Sequence, residues 1–132
     1  MNTTKLLEAA RDAAQKAYAP YSEYKVGAAL LCADGDVFAG CNVENVSYGL
    51  TNCAERTAIF AAIAAGRRCD FVALAIVADG ESMPYPCGAC RQVLSEFCCD
   101  EFSVYIAKAD ALDDYEVASL GELLPRSFHI AE

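Results

Sequence analysis

The sequence contains a single histidine, His129, and no tryptophan. Because imidazole is the commonest metal ligand, any transition-metal site in this chain must rely mainly on its eight cysteines. Long apolar runs are also missing, and none approaches the roughly 20 residues of a membrane-spanning helix. The charged, amphipathic opening stretch (M-N-T-T-K-L-L-E-A-A-R-D) has the pattern of neither a signal peptide nor a membrane anchor. We therefore expect no membrane partner.

Basic residues are scarce as well: 10 Lys and Arg stand against 19 Asp and Glu, for a net charge of −9. Such a surface repels phosphate backbones, so a nucleic-acid polymer is a disfavoured partner and a small, weakly charged ligand is favoured.

The cysteines do not indicate a disulfide scaffold, because small disulfide-rich domains lack long alanine-rich helices. A reduced, cytoplasmic protein that uses some cysteines for metal fits better.

The order of apolar patterns predicts an α/β fold over residues 1–132 as one domain. Three layers, α-β-α, are expected around a mixed five-stranded sheet that contains one antiparallel hairpin. The predicted helices cover residues 4–18, 54–65 and 87–97, with a short one after Ser119, and the predicted strands cover 26–32, 37–43, 71–78, 103–108 and 115–118.

The second strand ends in two polar residues that alternation places on one face, Asn42 and Glu44. Together they can donate and accept hydrogen bonds, as binding a vicinal diol requires. A strand end that merely turns toward solvent explains the same residues equally well, and the pattern does not decide between the two.

Two predicted helices begin at cysteines. Cys53 precedes Glu55 and Arg56 at one start, and Cys87 and Cys90 form a Cys-x-x-Cys at another. Free N–H groups at a helix start favour a thiolate. Taken by itself, the first helix start is explained by a buried structural cysteine beside a Glu–Arg pair. The second helix start has three explanations: a redox dithiol, half of a structural zinc site, or a catalytic metal pair.

In a layered α/β fold, both helix starts can point to one volume, where three thiolates would meet. Cys69, Cys98 and Cys99 are too distant along their helices to join them, and Cys32 and Cys41 are poorly placed although not excluded. Three cysteines with one open position are typical of catalytic zinc. Arg56 is then a natural compensator of the excess negative charge.

Three motifs in order resemble the small, homotetrameric cytidine deaminases: Asn42-Val-Glu44-Asn45, Cys53-Ala-Glu55-Arg56 and Pro86-Cys87-Gly-Ala-Cys90-Arg-Gln. The resemblance extends from Tyr21 to Phe128. It implies one zinc ion per subunit bound by the three cysteines, and Glu55 as the proton shuttle. It also implies a homotetramer with shared active sites.

The same resemblance implies the substrate contacts. Asn42 and Glu44 would bind the ribose hydroxyls, Tyr24 stands where the family usually has Phe against the base, and Ala54 would also contact substrate. Phe128, and less directly Tyr48, would reach a neighbouring subunit's site.

The implied reaction is hydrolysis of cytidine and deoxycytidine to uridine and deoxyuridine with release of ammonia, as in pyrimidine salvage. In that family, zinc-bound hydroxide attacks C4 while Glu55 moves protons. The alternatives are deamination of another aminopyrimidine such as blasticidin S, a non-catalytic zinc module and a dithiol redox protein. The last two leave Glu55 without a role.

The remaining polar and thiol residues are expected to be incidental. We expect the other cysteines to be buried or inert and His129 to lie on the surface. Arg67 and Arg68 should interact with the C-terminal end of their helix. A solvated acidic loop is expected to contain Asp110, Asp113, Asp114 and Glu116.

Overall fold

A computed structural model describes residues 2–130. One five-stranded sheet with helices on both faces confirms the predicted α/β class. The helices are α1 (Thr3–Ala14), α2 (Ala54–Ala64), α3 (Gly88–Phe97) and α4 (Leu120–Leu123), and the strands are β1 (Val26–Cys32), β2 (Val37–Cys41), β3 (Phe71–Ala78), β4 (Ser103–Lys108) and β5 (Ala111–Ser119). No helix within residues 2–130 is long and apolar enough to cross a membrane.

The sheet is mixed, with strand order β2-β1-β3-β4-β5. The β1–β2 hairpin is antiparallel, as predicted, and β1 also pairs with β3 in antiparallel fashion. The β3–β4 pair is parallel, and its connection passes through α3. A parallel pair needs such a crossover, and the loop of residues 79–87 leads from the end of β3 to the start of α3.

The three α-β-α layers form because helices pack on both faces of the central strand β3. It is apolar along its whole length, and alternate side chains point to opposite faces. Leu74 and Ile76 pack in the cluster that includes α2, while Ala75 and Val77 pack against α1. The three-layer prediction is therefore confirmed.

Gly40 lets α2 lie directly on β2. A Cβ atom built at Gly40 would be 2.4 Å from the Ala58 backbone nitrogen and 2.8 Å from the Ala54 carbonyl oxygen. Any side chain at this position would therefore push α2 off the sheet. Because Cys53 and Glu55 lie at the start of α2, this contact helps to position both.

Two predicted ends were wrong, in α1 and β2. Helix α1 ends at Ala14 instead of residue 18, because the Tyr18 backbone pairs with the segment after β2. The Tyr18 N–H donates to the Asn42 carbonyl (3.0 Å), and the Tyr18 carbonyl accepts from the Glu44 N–H (2.8 Å). Strand β2 ends at Cys41, and Val43 forms only isolated bridges with Tyr18 and Asn52.

The strand predicted at 115–118 is present but longer, because β5 begins at Ala111 and forms the edge of the sheet. The predicted acidic loop was therefore wrong for Asp113, Asp114 and Glu116, which all lie within this strand. Their side chains are exposed, so solvation rather than burial stabilises them, and the strand lacks apolar alternation. His129 is exposed, as predicted.

The two arginines after α2 have different roles. Arg68 donates to the Ile63 carbonyl (3.0 Å) near the C-terminal end of the helix, as expected. Arg67 instead pairs with Asp34, Asp36 and Asp70, so it ties the β1–β2 turn to the start of β3. The expectation for Arg67 was wrong because its three partners come from turns that the sequence pattern does not bring together.

The Gly40 contact yields a stability prediction. Gly40→Ala should lower the free energy of unfolding by about 2 kcal/mol or more, since overpacking against rigid backbone typically costs about 1–3 kcal/mol. Denaturant unfolding checks this. Gly49→Ala is the matched control, because no atom lies within 4 Å of a Cβ at that position. A Gly40→Ala protein as stable as the control would contradict the close-packing argument.

Candidate active site

Three cysteine sulfurs converge where two helices begin. Cys53 is the N-cap residue of α2, Cys87 is the N-cap residue of α3, and Cys90 lies in the first turn of α3. The Cys53 and Cys87 sulfurs are 3.8 Å apart, and those of Cys87 and Cys90 are 3.5 Å apart. All three lie within 4.8 Å of one another, and this group contains no fourth ligand among residues 2–130.

The spacing and chemistry of these sulfurs fit zinc. Zinc–sulfur bonds of about 2.3 Å in tetrahedral geometry separate two sulfur ligands by about 3.8 Å. Thiolate ligands also select zinc over hard cations such as magnesium. Because each cysteine lies at a helix start, free backbone N–H groups and the positive end of the dipole stabilise the thiolate form.

A second group of candidate ligands does not have this character. Cys32, Asp34 and Asp70 also lie within 4.8 Å of one another. However, Arg67 donates to both carboxylates, at 2.8 Å to Asp34 and 2.5 Å to Asp70, so both are already paired with a guanidinium. Cys32 itself is buried in the core cluster, as the sequence predicted.

Arg56 supplies positive charge to the thiolate group. Its Nη2 donates to the Cys53 sulfur at 3.3 Å. The neighbouring Cys90 thiol and the Arg56 guanidinium lower the pKa of Cys53 against the opposing effect of burial. The nearby Cys53 and burial raise the pKa of Cys90. These neighbours therefore favour the thiolate form of Cys53.

Glu55 is a buried carboxylate beside the thiols, with only 5% of its surface exposed. Burial raises its pKa to about 7, and the neighbouring Cys53 thiolate acts in the same direction. A carboxyl group with this pKa can both take and return protons near neutral pH, which is the property of a general acid–base.

Cys53, Cys87 and Glu55 border a cavity of about 490 Å³, a volume within the usual range for small-molecule sites. Tyr24, Asn42 and Glu44, from the segments around β1 and β2, contribute to its lining, and so does the segment from Met83 to Tyr85. The residues that line it are Ser22, Tyr24, Val26, Asn42, Glu44, Thr51, Cys53, Ala54, Glu55, Met83, Pro84, Tyr85 and Cys87.

Asn42 and Glu44 line the cavity but also bond to the segment before β1. The Asn42 side chain accepts from the Val26 N–H (2.9 Å) and donates to the Tyr24 carbonyl (2.8 Å). Glu44 accepts from the Tyr21 N–H (2.9 Å), the Ser22 N–H (3.1 Å) and the Ser22 hydroxyl. These bonds hold the two side chains in place and use part of their hydrogen-bonding capacity.

Two predicted site residues lie outside this cavity. Tyr48 borders an adjacent depression that also includes Tyr21, Ser22, Glu44 and Thr51, and its ring contacts Tyr21 edge-on at 6.1 Å. Phe128 lies elsewhere, next to Gln92 and Glu96. Tyr48 is 76% exposed and Phe128 72% exposed. Within one chain, therefore, Phe128 does not reach the cavity that contains Glu55.

The sequence analysis missed several lining residues, chiefly Ser22 and Tyr85. Ser22 bonds to Glu44, and the Tyr85 hydroxyl donates to the Glu116 carboxylate (2.8 and 2.9 Å). Each partner is more than 20 residues away in sequence, so no local spacing signals these contacts. For Ser22 the only clue was its place in a short loop before a buried strand.

Comparisons with known proteins agree with this geometry. The family model for the cytidine and deoxycytidylate deaminase zinc-binding region matches residues 1–106. The cytidine deaminase of Sporosarcina psychrophila is 48% identical over 97% of this chain and 92% of its own. That of Halalkalibacterium halodurans is 50% identical over 97% of this chain and 95% of its own.

Solved structures give the same result. The crystal structure of cytidine deaminase from Burkholderia pseudomallei has a TM-score of 0.92 and 53% identity, covering 97% of this chain and all of that one. The enzyme from Mycobacterium tuberculosis has a TM-score of 0.82 and 42% identity, covering 98% and 99% of the two chains. The resemblance stated from the motifs is confirmed, and the chain belongs to the cytidine and deoxycytidylate deaminase family.

Proposed function

We propose that this chain is a zinc-dependent enzyme that hydrolyses cytidine and deoxycytidine to uridine and deoxyuridine, releasing ammonia. The observation that carries the proposal is the meeting of Cys53, Cys87 and Cys90 beside the buried carboxylate of Glu55, at the edge of a cavity of nucleoside size. Relatives about half identical over nearly the whole chain, all named cytidine deaminases, support it.

The three cysteines would bind one zinc ion per chain. A zinc ion supplies Lewis acidity, which can lower the pKa of a water ligand from about 15.7 to about 7. Three thiolates weaken this effect by leaving a net charge of −1 at the metal. The helix starts and the Arg56 guanidinium, 3.3 Å from the Cys53 sulfur, offset that charge.

Glu55 moves two protons in turn. It takes the first from water as the oxygen bonds to C4 of the pyrimidine, and it delivers that proton to N3. It then takes the remaining hydroxyl proton and gives it to the amino group as the C4–N bond breaks. The products are ammonia and a carbonyl at C4. Its burial and raised pKa suit a group that alternates between base and acid.

The other cavity residues bind the nucleoside. Asn42 and Glu44 would bind the sugar, because both line the cavity and together they can donate and accept hydrogen bonds. Tyr24 would pack against the base, with Ala54 beneath it. The net charge of −9 argues against a polynucleotide substrate, because no long-range attraction would offset the repulsion of its phosphates.

The chain would function as a single domain within a homotetramer whose subunits share active sites. Exposed apolar side chains support this, since Val46, Tyr48, Leu50 and Phe128 are each at least 70% exposed in one chain. Phe128 and Tyr48 would complete a neighbour's site.

We place the enzyme in the cytoplasm, in pyrimidine salvage, because its metal-binding thiols must remain reduced.

The proton-shuttle role is tested by Glu55→Gln, which keeps the shape of the side chain and removes its basicity. The kcat for ammonia release from cytidine should fall about 10²- to 10⁴-fold, the usual contribution of general acid–base catalysis. Zinc content, measured by atomic emission, should remain near one per chain. A variant that retains more than a tenth of wild-type kcat would contradict the assignment.

The metal site is tested by removing one ligand. Cys90→Ala should lose zinc and activity together, because two thiolates bind zinc far more weakly than three. Cys98→Ala, a partly buried cysteine eight residues further along, is the matched control and should keep both. Equal zinc content in the two variants would show that Cys90 is not a ligand.

Sharing of sites between subunits is tested by mixing two inactive variants. Phe128→Ala chains lack the proposed contribution to a neighbour, while Glu55→Gln chains lack the proton shuttle but retain Phe128. If Phe128 acts in the neighbouring site, refolding the variants together should restore activity, since a site with both residues then forms across a subunit boundary. No gain over the separate variants, despite formation of mixed oligomers, would contradict sharing.

A further inference from the structure

The Ser22 hydroxyl links Glu44 to the backbone of Tyr24, and all three residues line the cavity. It donates to the Glu44 carboxylate at Oε2 and accepts from the Tyr24 N–H at 3.0 Å. The Ser22 backbone N–H also donates to Glu44 Oε1 at 3.1 Å. One residue therefore fixes the position of Glu44 and that of the backbone that carries Tyr24.

The local backbone keeps this hydroxyl in place. Glu23 has a φ of +58°, in the left-handed region that non-glycine residues rarely adopt. This conformation turns the chain back so that the Tyr24 N–H points to the Ser22 hydroxyl. The Tyr24 carbonyl is bound in turn by the Asn42 amide at 2.8 Å. The segment before β1 is thus hydrogen-bonded to both Asn42 and Glu44.

Hydrogen-bond capacity shows how much of Glu44 is left for a ligand. A carboxylate has about four acceptor positions. Two are used on Oε1, by the Tyr21 and Ser22 N–H groups, and one is used on Oε2 by the Ser22 hydroxyl. One acceptor position on Oε2 remains, and its direction depends on the bond from Ser22. The Asn42 amide likewise has one donor hydrogen left after its bond to Tyr24.

We propose that Ser22 is a positioning residue for sugar recognition, which orients Glu44 so that its one remaining acceptor position meets a sugar hydroxyl. This inference rests on the proposed function, since it assumes a nucleoside in the cavity. Ser22 acts through Glu44 and takes no part in the deamination chemistry. Its removal should therefore weaken binding of sugars that carry hydroxyls and leave the chemical step nearly unchanged.

The experiment compares two substrates that differ only at the sugar. For Ser22→Ala, kcat/KM for cytidine should fall about three- to tenfold through a higher KM, with kcat within about twofold of wild type. For 2′,3′-dideoxycytidine, which lacks both ring hydroxyls, kcat/KM should change less than twofold. Ser22→Thr keeps a hydroxyl and should recover most of the cytidine KM. Should Ser22→Ala not fold, Ser22→Cys, whose thiol is a weak donor, serves in the same comparison.

Two controls separate positioning from general damage. In a Glu44→Gln background, adding Ser22→Ala should have less than a twofold further effect on cytidine, because the two residues act through one contact. Ser82→Ala, at an exposed serine outside the cavity lining, should match wild type on both substrates.

The proposal is overturned if Ser22→Ala lowers kcat/KM equally for the two substrates, or if it leaves cytidine unaffected. It is also overturned if the effects of Ser22→Ala and Glu44→Gln simply add. A wild-type protein that deaminates neither substrate would instead refute the proposed function. The two failures are therefore distinguishable.

Discussion

Three thiols and a carboxylate share one small volume in this protein, and the rest of the structure makes that arrangement tolerable. Like charges at such distances repel strongly unless positive groups face them. Cys53 and Cys87 each cap a helix, so two sets of free N–H groups point to the site, and Arg56 donates to Cys53. Zinc would neutralise most of the remaining charge. The negative charge of the site would therefore be offset by three sources together: backbone N–H groups, the Arg56 side chain and the metal.

The fold sets where those helices begin. Helix α2 lies directly on β2 because Gly40 has no side chain, and α3 follows β3 because a parallel pair requires a crossover. Cys53 and Cys87, at the two helix starts, line the same cavity as Asn42 and Glu44, which hydrogen-bond to the segment before β1. Asn42, Glu44, Cys53, Glu55 and Cys87 thus line one cavity.

Sequence reasoning succeeded where the signal is local. The bounds of β3 and β4 were predicted because each is an apolar run bounded by turn residues, and the three cysteines were found because each begins a helix. It predicted only residues 115–118 of β5, because the first half of that strand carries the exposed Asp113 and Asp114 without apolar alternation. It also missed Ser22, because its bond to Glu44 joins segments 22 residues apart and exists only once the loop has folded.

The central claim is that two helix starts create a three-thiolate zinc site with one open position beside Glu55. X-ray absorption at the zinc edge of the purified protein tests it most directly. We expect three sulfur scatterers at about 2.3 Å and one oxygen or nitrogen at about 2.0–2.2 Å, as in an open catalytic site. Four sulfur scatterers would mean that another cysteine closes the site, and that result would contradict the account.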